Sequence, residues 1–168
     1  MRIGFIGTGN MGKAMIEGFI SSKNVKNEEI VIFDVDSKKL NELTEKFNVS
    51  VSESENEVVK NADLIILAVK PNIYDDLLEK IKDSIDSSKI ILTIAAGFSI
   101  ERAEKIIGNN KKIIRTMPNT PAQILEGMTG VVFNKNITNE EKDIVIKLLG
   151  SFGGVEEIDE KLMHVFSA

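Results

Sequence analysis

At 168 residues the chain is long enough for one domain, burying roughly 70% of its unfolded surface. Hydrophobic residues at 42%, charged residues at 28% and a net charge of −5 describe a globular protein with no electrostatic reason to bind nucleic acid or an anionic membrane. With no cysteine and one histidine, His164, the chain excludes disulfides, thiolate nucleophiles, the usual zinc ligand sets and a Ser–His pair spaced for acyl transfer.

No metal site is expected, and the chemistry must come from a cofactor or from residues outside this chain. The longest apolar run, "LIILAV" (64–69), is too short to span a bilayer. No secretory signal is read ahead of "IGFIGTG", so a cytoplasmic protein is expected.

The first β-rich run is "RIGFI" (2–6), and it leads directly into "GFIGTGNMG". There Gly7, Gly9 and Gly12 hold the G-x-G-x-x-G spacing, Thr8, Asn10 and Met11 complete the turn, and a helical pattern runs from Met11 to Ser21. Gly7 permits the tight turn, Gly9 lets the backbone approach a pyrophosphate, and Gly12 lets the helix pack close to the strand. The helix N-terminus offers free N–H groups and partial positive charge to the anion. The spacing alone also suits a structural turn. A strand before it and a helix after it point to dinucleotide binding.

The second run, "IVIF" (30–33), ends at Asp34, 22 positions after Gly12. An acid there can accept hydrogen bonds from both hydroxyls of an adenosine ribose, which favours NAD; the alternative is a solvated turn acid. Ser37, Lys38 and Lys39 follow and can attract a 2′-phosphate, with Ser37 also read as the cap of "KKLNELTEKF". "NVSV" (48–51) reads as a third strand, and the polar stretch 52–63 as a loop with a short helix.

"LIILAV" is apolar on both faces, as suits a parallel strand covered by helices on either side. A helical pattern over 73–85 follows, then the strand "KIILTI" (89–94) and a helix over 100–107 capped by Ser99 and ended by Gly108. The strands "KIIRT" (112–116) and "GVVF" (130–133) precede "NEEKDIVIKLLG", where Thr138 and Glu141 form a capping box and Gly150 closes the helix. "EKLMHVFSA" (160–168) begins another amphipathic helix, with Leu162, Met163 and Phe166 on a half-built apolar face and His164 as a surface residue. Strict β–α alternation predicts an α/β fold: a doubly wound, mostly parallel Rossmann-type sheet with helices on both faces.

Two of the three prolines, Pro118 and Pro121, stiffen "RTMPNTPA" (115–122), and the third, Pro71, lies in "AVKPN". Together with "GFIGTGNMG", "LAVKP" and "TIAAG", that stretch resembles the pyrroline-5-carboxylate reductase family, in the correct order and over essentially the whole chain. The resemblance implies reduction of the ring C=N of 1-pyrroline-5-carboxylate by NADPH or NADH, giving L-proline, the last step of proline biosynthesis. It implies that Ala68, Val69, Lys70 and Pro71 border the nicotinamide ribose, and that Ala95, Ala96 and Gly97 lie against the nicotinamide. Asn56 is the nearest candidate for an asparagine at the adenosine ribose. Asn119 and Thr120 are the candidates for the substrate side, and no residue of this chain is assigned as a catalytic group.

The resemblance further implies a helical domain of about 100 residues beyond this chain, forming a homodimer or higher homo-oligomer and completing the substrate pocket. "HVFSA" looks like the run-in to that family's Leu-Ser-Gly-Ser-Gly-Pro-Ala segment. Residues 1–158 are then the dinucleotide-binding domain and 159–168 the start of a truncated second one.

Alone, Lys70 reads as a surface lysine, Ala95 and Ala96 as small packing residues, and the proline loop as a rigid connector. All three follow consecutive strands on the side where doubly wound folds bind ligands. One alternative is the β-hydroxyacid dehydrogenase group, whose members share the glycine turn but carry an Asp-Ala-Pro-Val-Ser-Gly-Gly segment not found here. Another is a non-catalytic NAD(P)-sensing domain.

Overall fold

Runs rich in isoleucine, leucine and valine favour the pleated, buried environment of a sheet, and they form its centre. The strands are β1 (Ile3–Ile6), β2 (Ile30–Phe33), β3 (Ser50–Val51), β4 (Leu64–Leu67), β5 (Ile90–Thr93) and β6 (Lys112–Pro118). In the computed structural model the described residues are 1–119, 121 and 126–167, and for 164–167 the backbone alone.

These six strands run parallel in the order β3-β2-β1-β4-β5-β6. The order reverses between β1 and β4, which opens a crevice beyond their carboxyl ends. β7 (Gly127–Phe133) then turns back antiparallel on β6, and β8 (Gly153–Glu157) lies parallel to β7 at the sheet edge. The doubly wound, mostly parallel sheet expected from the pattern is thus present, with eight strands. β8 was not anticipated. Its sequence, Gly-Gly-Val-Glu-Glu, has little strand propensity, and pairing with β7, contact with α6 and the packing of Val155 on the core hold it.

Strand alternation sends successive side chains to opposite faces, so a strand covered on both sides has no polar position. Phe5, Ile32 and Ile66 pack on one face against α1 (Asn10–Ser21), α2 (Ser37–Phe47) and α6 (Asn139–Leu149) through Phe19, Leu43 and Val145. Ile6, Ile65 and Ile91 pack on the other against α3 (Glu55–Asn61), α4 (Tyr74–Ile81) and α5 (Ile100–Ile107) through Val58, Leu78 and Ala103.

Local signals set most helix ends. The Ser99 hydroxyl accepts from the Arg102 amide at 3.2 Å, and Thr138 and Glu141 exchange reciprocal bonds of 3.3 and 3.0 Å. β7 starts three residues earlier than the run read at 130–133, and four further departures from the sequence reading have a local cause. Asp36, not Ser37, caps α2, because its extended backbone aims the carboxylate at the Lys38 amide, 3.0 Å away. β3 is only two residues long, because Asn48 takes a left-handed conformation (φ 52) to end α2. The helix read over 73–85 is α4 flanked by single 3-10 turns at Pro71–Ile73 and Lys82–Ser84. Gly150 stays right-handed (φ −61), so α6 tightens into the 3-10 turn Gly150–Phe152 instead of closing on a left-handed glycine.

The segment Glu160–Ser167 is a 3-10 helix lying against β6 and β7. Met163 is buried within the domain while Leu162 is 52% exposed, so the two do not share the open apolar face expected of them. The side chains of His164 and Phe166 lie outside the described residues, as do Thr120 and Ala122. Among the described residues no helix is long and apolar enough to cross a membrane.

Candidate functional site

The carboxyl ends of β1, β2, β4, β5 and β6 bring Gly7, Asp34, Ala68, Ala95 and Asn119 to one edge of the sheet. At the β1/β4 switch point lies a cleft of about 630 Å³. Of the residues expected from sequence, Gly7, Gly9, Asp34, Ala68, Val69 and Lys70 line it. Lys39, read as able to attract a 2′-phosphate, lines it too, and it also takes in Val35, Glu55, Ile73, Asp76 and Lys80, which no motif marked.

The three glycines do different work. Gly7 has φ +93, and a Cβ there would sit 2.5 Å from the Ala68 carbonyl oxygen, so the turn closes only without a side chain. A Cβ on Gly12 would lie 2.8 Å from the Gly7 oxygen and 3.2 Å from the Ala68 Cβ, which is how closely α1 meets the strand ends. Gly9 is under neither constraint. Its φ of −65 and ψ of −171 suit any residue, and nothing lies within 4 Å of an added Cβ. That open space faces the first turn of α1, whose N-cap supplies no side-chain hydrogen bond and which carries no acidic residue. Unpaired first-turn amides and the positive end of the helix fit a bound phosphate.

Asp34 is nearly buried, with its side chain 9% exposed. One oxygen, Oδ2, accepts from the Thr8 amide at 2.7 Å and the Thr8 hydroxyl at 2.9 Å, while Oδ1 accepts from the Asp36 amide at 2.9 Å. A carboxylate has about four acceptor positions, so three internal bonds leave room for one more and not for both hydroxyls of a ribose. Burial pushes the Asp34 carboxyl upward, but the amides of Asp36 and Thr8, the Thr8 hydroxyl and Lys39 outweigh it and hold the group below its usual range.

A pH dependence follows from that depression. The folded state keeps Asp34 ionised more readily than the unfolded chain does, so its contribution is complete above the unfolded value, about 3.9. It fades as pH falls through the lower folded value. Asp34→Asn is expected to cost about 1–2 kcal/mol at pH 7, and the gap from the unaltered chain should narrow steadily below about pH 4. Urea unfolding across pH 3 to 7 checks this; a gap independent of pH would deny the carboxylate its role in the turn.

The remaining expected residues are placed as follows. Ala68 is fixed by its amide, which donates to the Ile6 carbonyl at 2.8 Å, and Lys70 caps the 3-10 turn that Pro71 opens. Ala95 is buried, and Ala96 and Gly97 are exposed at the neighbouring strand end, Gly97 with φ +75. The Asn119 side-chain carbonyl accepts from the Met128 amide at 2.9 Å and holds the start of β7. Ser37 is exposed in the first turn of α2 and is not in the cleft wall. Asn56 is not brought to the cleft: its carboxamide oxygen accepts from the Ser84 hydroxyl at 2.8 Å. Glu55, one residue earlier, lines the cleft and pairs with Lys80 at 2.7 Å.

The family model described as NADP oxidoreductase coenzyme F420-dependent matches residues 2–97. Pyrroline-5-carboxylate reductase of Escherichia coli (strain K12) is 39% identical over 163 residues, covering 97% of this chain and 61% of that protein. The Aquifex aeolicus (strain VF5) enzyme of the same name is 38% identical over 168 residues, covering 100% of this chain and 61% of that one. The crystal structure of Plasmodium falciparum pyrroline carboxylate reductase with NADP bound superposes with a TM-score of 0.89 at 32% identity, covering 98% of this chain and 60% of that one. The chain thus spans about three fifths of the length of the relatives it matches.

Proposed function

We propose, from the premise that this chain belongs to the family described as NADP oxidoreductase coenzyme F420-dependent, that it is the cofactor-binding half of a pyrroline-5-carboxylate reductase. The reaction is reduction of the C=N bond of 1-pyrroline-5-carboxylate to L-proline with NADH or NADPH. The observation that carries the reading is the open space at Gly9, a glycine the fold does not require, facing the amino end of α1.

In this reading the turn from Gly7 to Gly12, with Thr8, Asn10 and Met11, holds the pyrophosphate. Asp34 takes one ribose hydroxyl, and Ser37 lies nearby. The loops Ala68 to Pro71 and Ala95 to Gly97 bound the nicotinamide end. When bound, the dihydronicotinamide supplies the hydride. The protein's share is orientation and exclusion of water, for which this chain needs no strong acid or base of its own. Four carboxylates against three lysines line the cleft, a balance that suits a ribose diol better than a 2′-phosphate. NADH is therefore accepted well, with Lys38 and Ser37 available to NADPH.

Asn119 and Thr120 are the candidates for contact with the substrate. Residues 1–158 form the cofactor domain and 159–168 lead toward a helical region that supplies the carboxylate anchor and the homo-oligomer contact. The protein acts in the cytoplasm on a small-molecule substrate. Given NADH and pyrroline-5-carboxylate, the 168-residue chain is expected to bind cofactor without steady turnover, because orientation can be worth roughly 7–11 kcal/mol and half its parts lie elsewhere. Calorimetry with NADH and a steady-state assay of its oxidation test both halves of the reading. Absence of NADH binding overturns the cofactor assignment, and near-normal turnover overturns the division of labour.

A further inference from the structure

We infer that Tyr74 is a positioning residue for the nicotinamide end of the cleft: its hydroxyl links the ends of β4 and β5 and so sets the spacing of the two loops that leave them. The inference rests on the reading of the cleft given above. Tyr74 opens α4 and is fully buried. Its hydroxyl donates to the Leu67 carbonyl and accepts from the Ile94 amide at 3.2 Å. Its ring packs on Phe98 with centroids 4.8 Å apart and planes tilted by 42°.

The register shows what this contact replaces. Leu67 pairs with Thr93 in a parallel ladder, where the next rung runs from the following amide, that of Ile94, to the Leu67 carbonyl. The phenol hydroxyl stands between those two groups as an inserted link. At the neighbouring strand ends the corresponding rungs are direct, Ala68 N–H to the Ile6 carbonyl and Gly7 N–H to the Phe33 carbonyl, both 2.8 Å. β4 and β5 are therefore joined through a hydroxyl where β1 closes directly on its neighbours. The loop from Ala68 to Pro71 leaves from Leu67, and the loop from Ala95 to Gly97 leaves from Ile94 and returns at Phe98, on the same ring. Burial pushes the phenol well above its ordinary range, only partly offset by the amides of Ile94 and Ala95, so the hydroxyl keeps its proton to donate.

Tyr74→Phe keeps the ring and removes the link. NADH and ADP-ribose, which lacks only the nicotinamide, are titrated into both chains by calorimetry. Affinity for NADH should fall about fivefold, the scale of one lost hydrogen bond, while that for ADP-ribose stays within about twofold. Amide exchange should quicken at residues 94–98 and remain unchanged at Ile3–Ile6. Equal losses for the two ligands, or no loss for either, overturn the assignment. So does faster exchange across the whole sheet, which would make the phenol a general support of the fold. If the unaltered chain binds neither ligand, the cofactor reading itself fails, a result distinct from the others.

Discussion

Replacing Gly9 with valine is expected to leave the chain folded while NADH affinity falls at least about 100-fold, or ~2.7 kcal/mol. The two effects separate because Gly9 combines an ordinary backbone conformation with an empty side-chain position. A branched side chain there meets no protein atom within 4 Å of its Cβ, so the folded state pays little beyond the change of N-cap residue, about 1 kcal/mol or less. The same side chain occupies the space through which a pyrophosphate reaches the first-turn amides of α1. Gly7 is the contrast: with φ +93 and a Cβ position 2.5 Å from the Ala68 oxygen, any substitution there strains the turn itself. Calorimetry paired with thermal unfolding separates the cases. An unchanged affinity in a folded Gly9→Val chain would remove the turn from the site.

The parts legible in the sequence were those whose cause is local. Leu64 to Leu67 announced a doubly covered strand because every position must be apolar when both faces are buried. Ser99, Thr138 and Glu141 cap helices with partners three residues away, within reach of any reading by spacing. The glycine turn was visible for the same reason, since Gly7 and Gly12 meet across five residues.

What stayed hidden depends on which strands become neighbours. Asp34 stands at the end of β2 as its position in the sequence suggests, yet one of its oxygens, Oδ2, is taken up by Thr8, 26 residues away, which comes within reach only because β1 and β2 pair. Asn56 meets Ser84, 28 residues on, through the packing of α3 toward α4. Tyr74 falls inside the helical pattern read over 73–85, where nothing in the spacing sets it apart. Its hydroxyl acquires a role only from the register of β4 on β5, which no periodicity records.

Glu160→Ala is expected to destabilise the chain by about 2–3 kcal/mol and to lower Tm by roughly 5–10 °C. Arg115 stands on β6 with its side chain 10% exposed, and its Nη1 donates to the Glu160 Oε1 at 2.9 Å. The same oxygen accepts from the Ile100 amide at 2.9 Å, in the first turn of α5, where a carboxylate also complements the helix dipole. The Arg115 Nε is buried with no partner among the described residues, where Glu160 carries most of what balances that guanidinium. Removing it strands a buried charge and an amide together, a loss of 3–5 kcal/mol for a fully enclosed pair. Glu160 is 31% exposed, and water entering the gap recovers part of this, which sets the lower figure. Arg115→Met in the Glu160→Ala background should then restore stability, because the stranded charge is what costs. Urea unfolding of both single variants and the double variant gives the coupling, expected to exceed about 1 kcal/mol for groups in direct contact. Losses that simply add would mean that the 3-10 helix carrying Glu160 rests on β6 and β7 through apolar contacts such as Met163, with the ion pair a bystander.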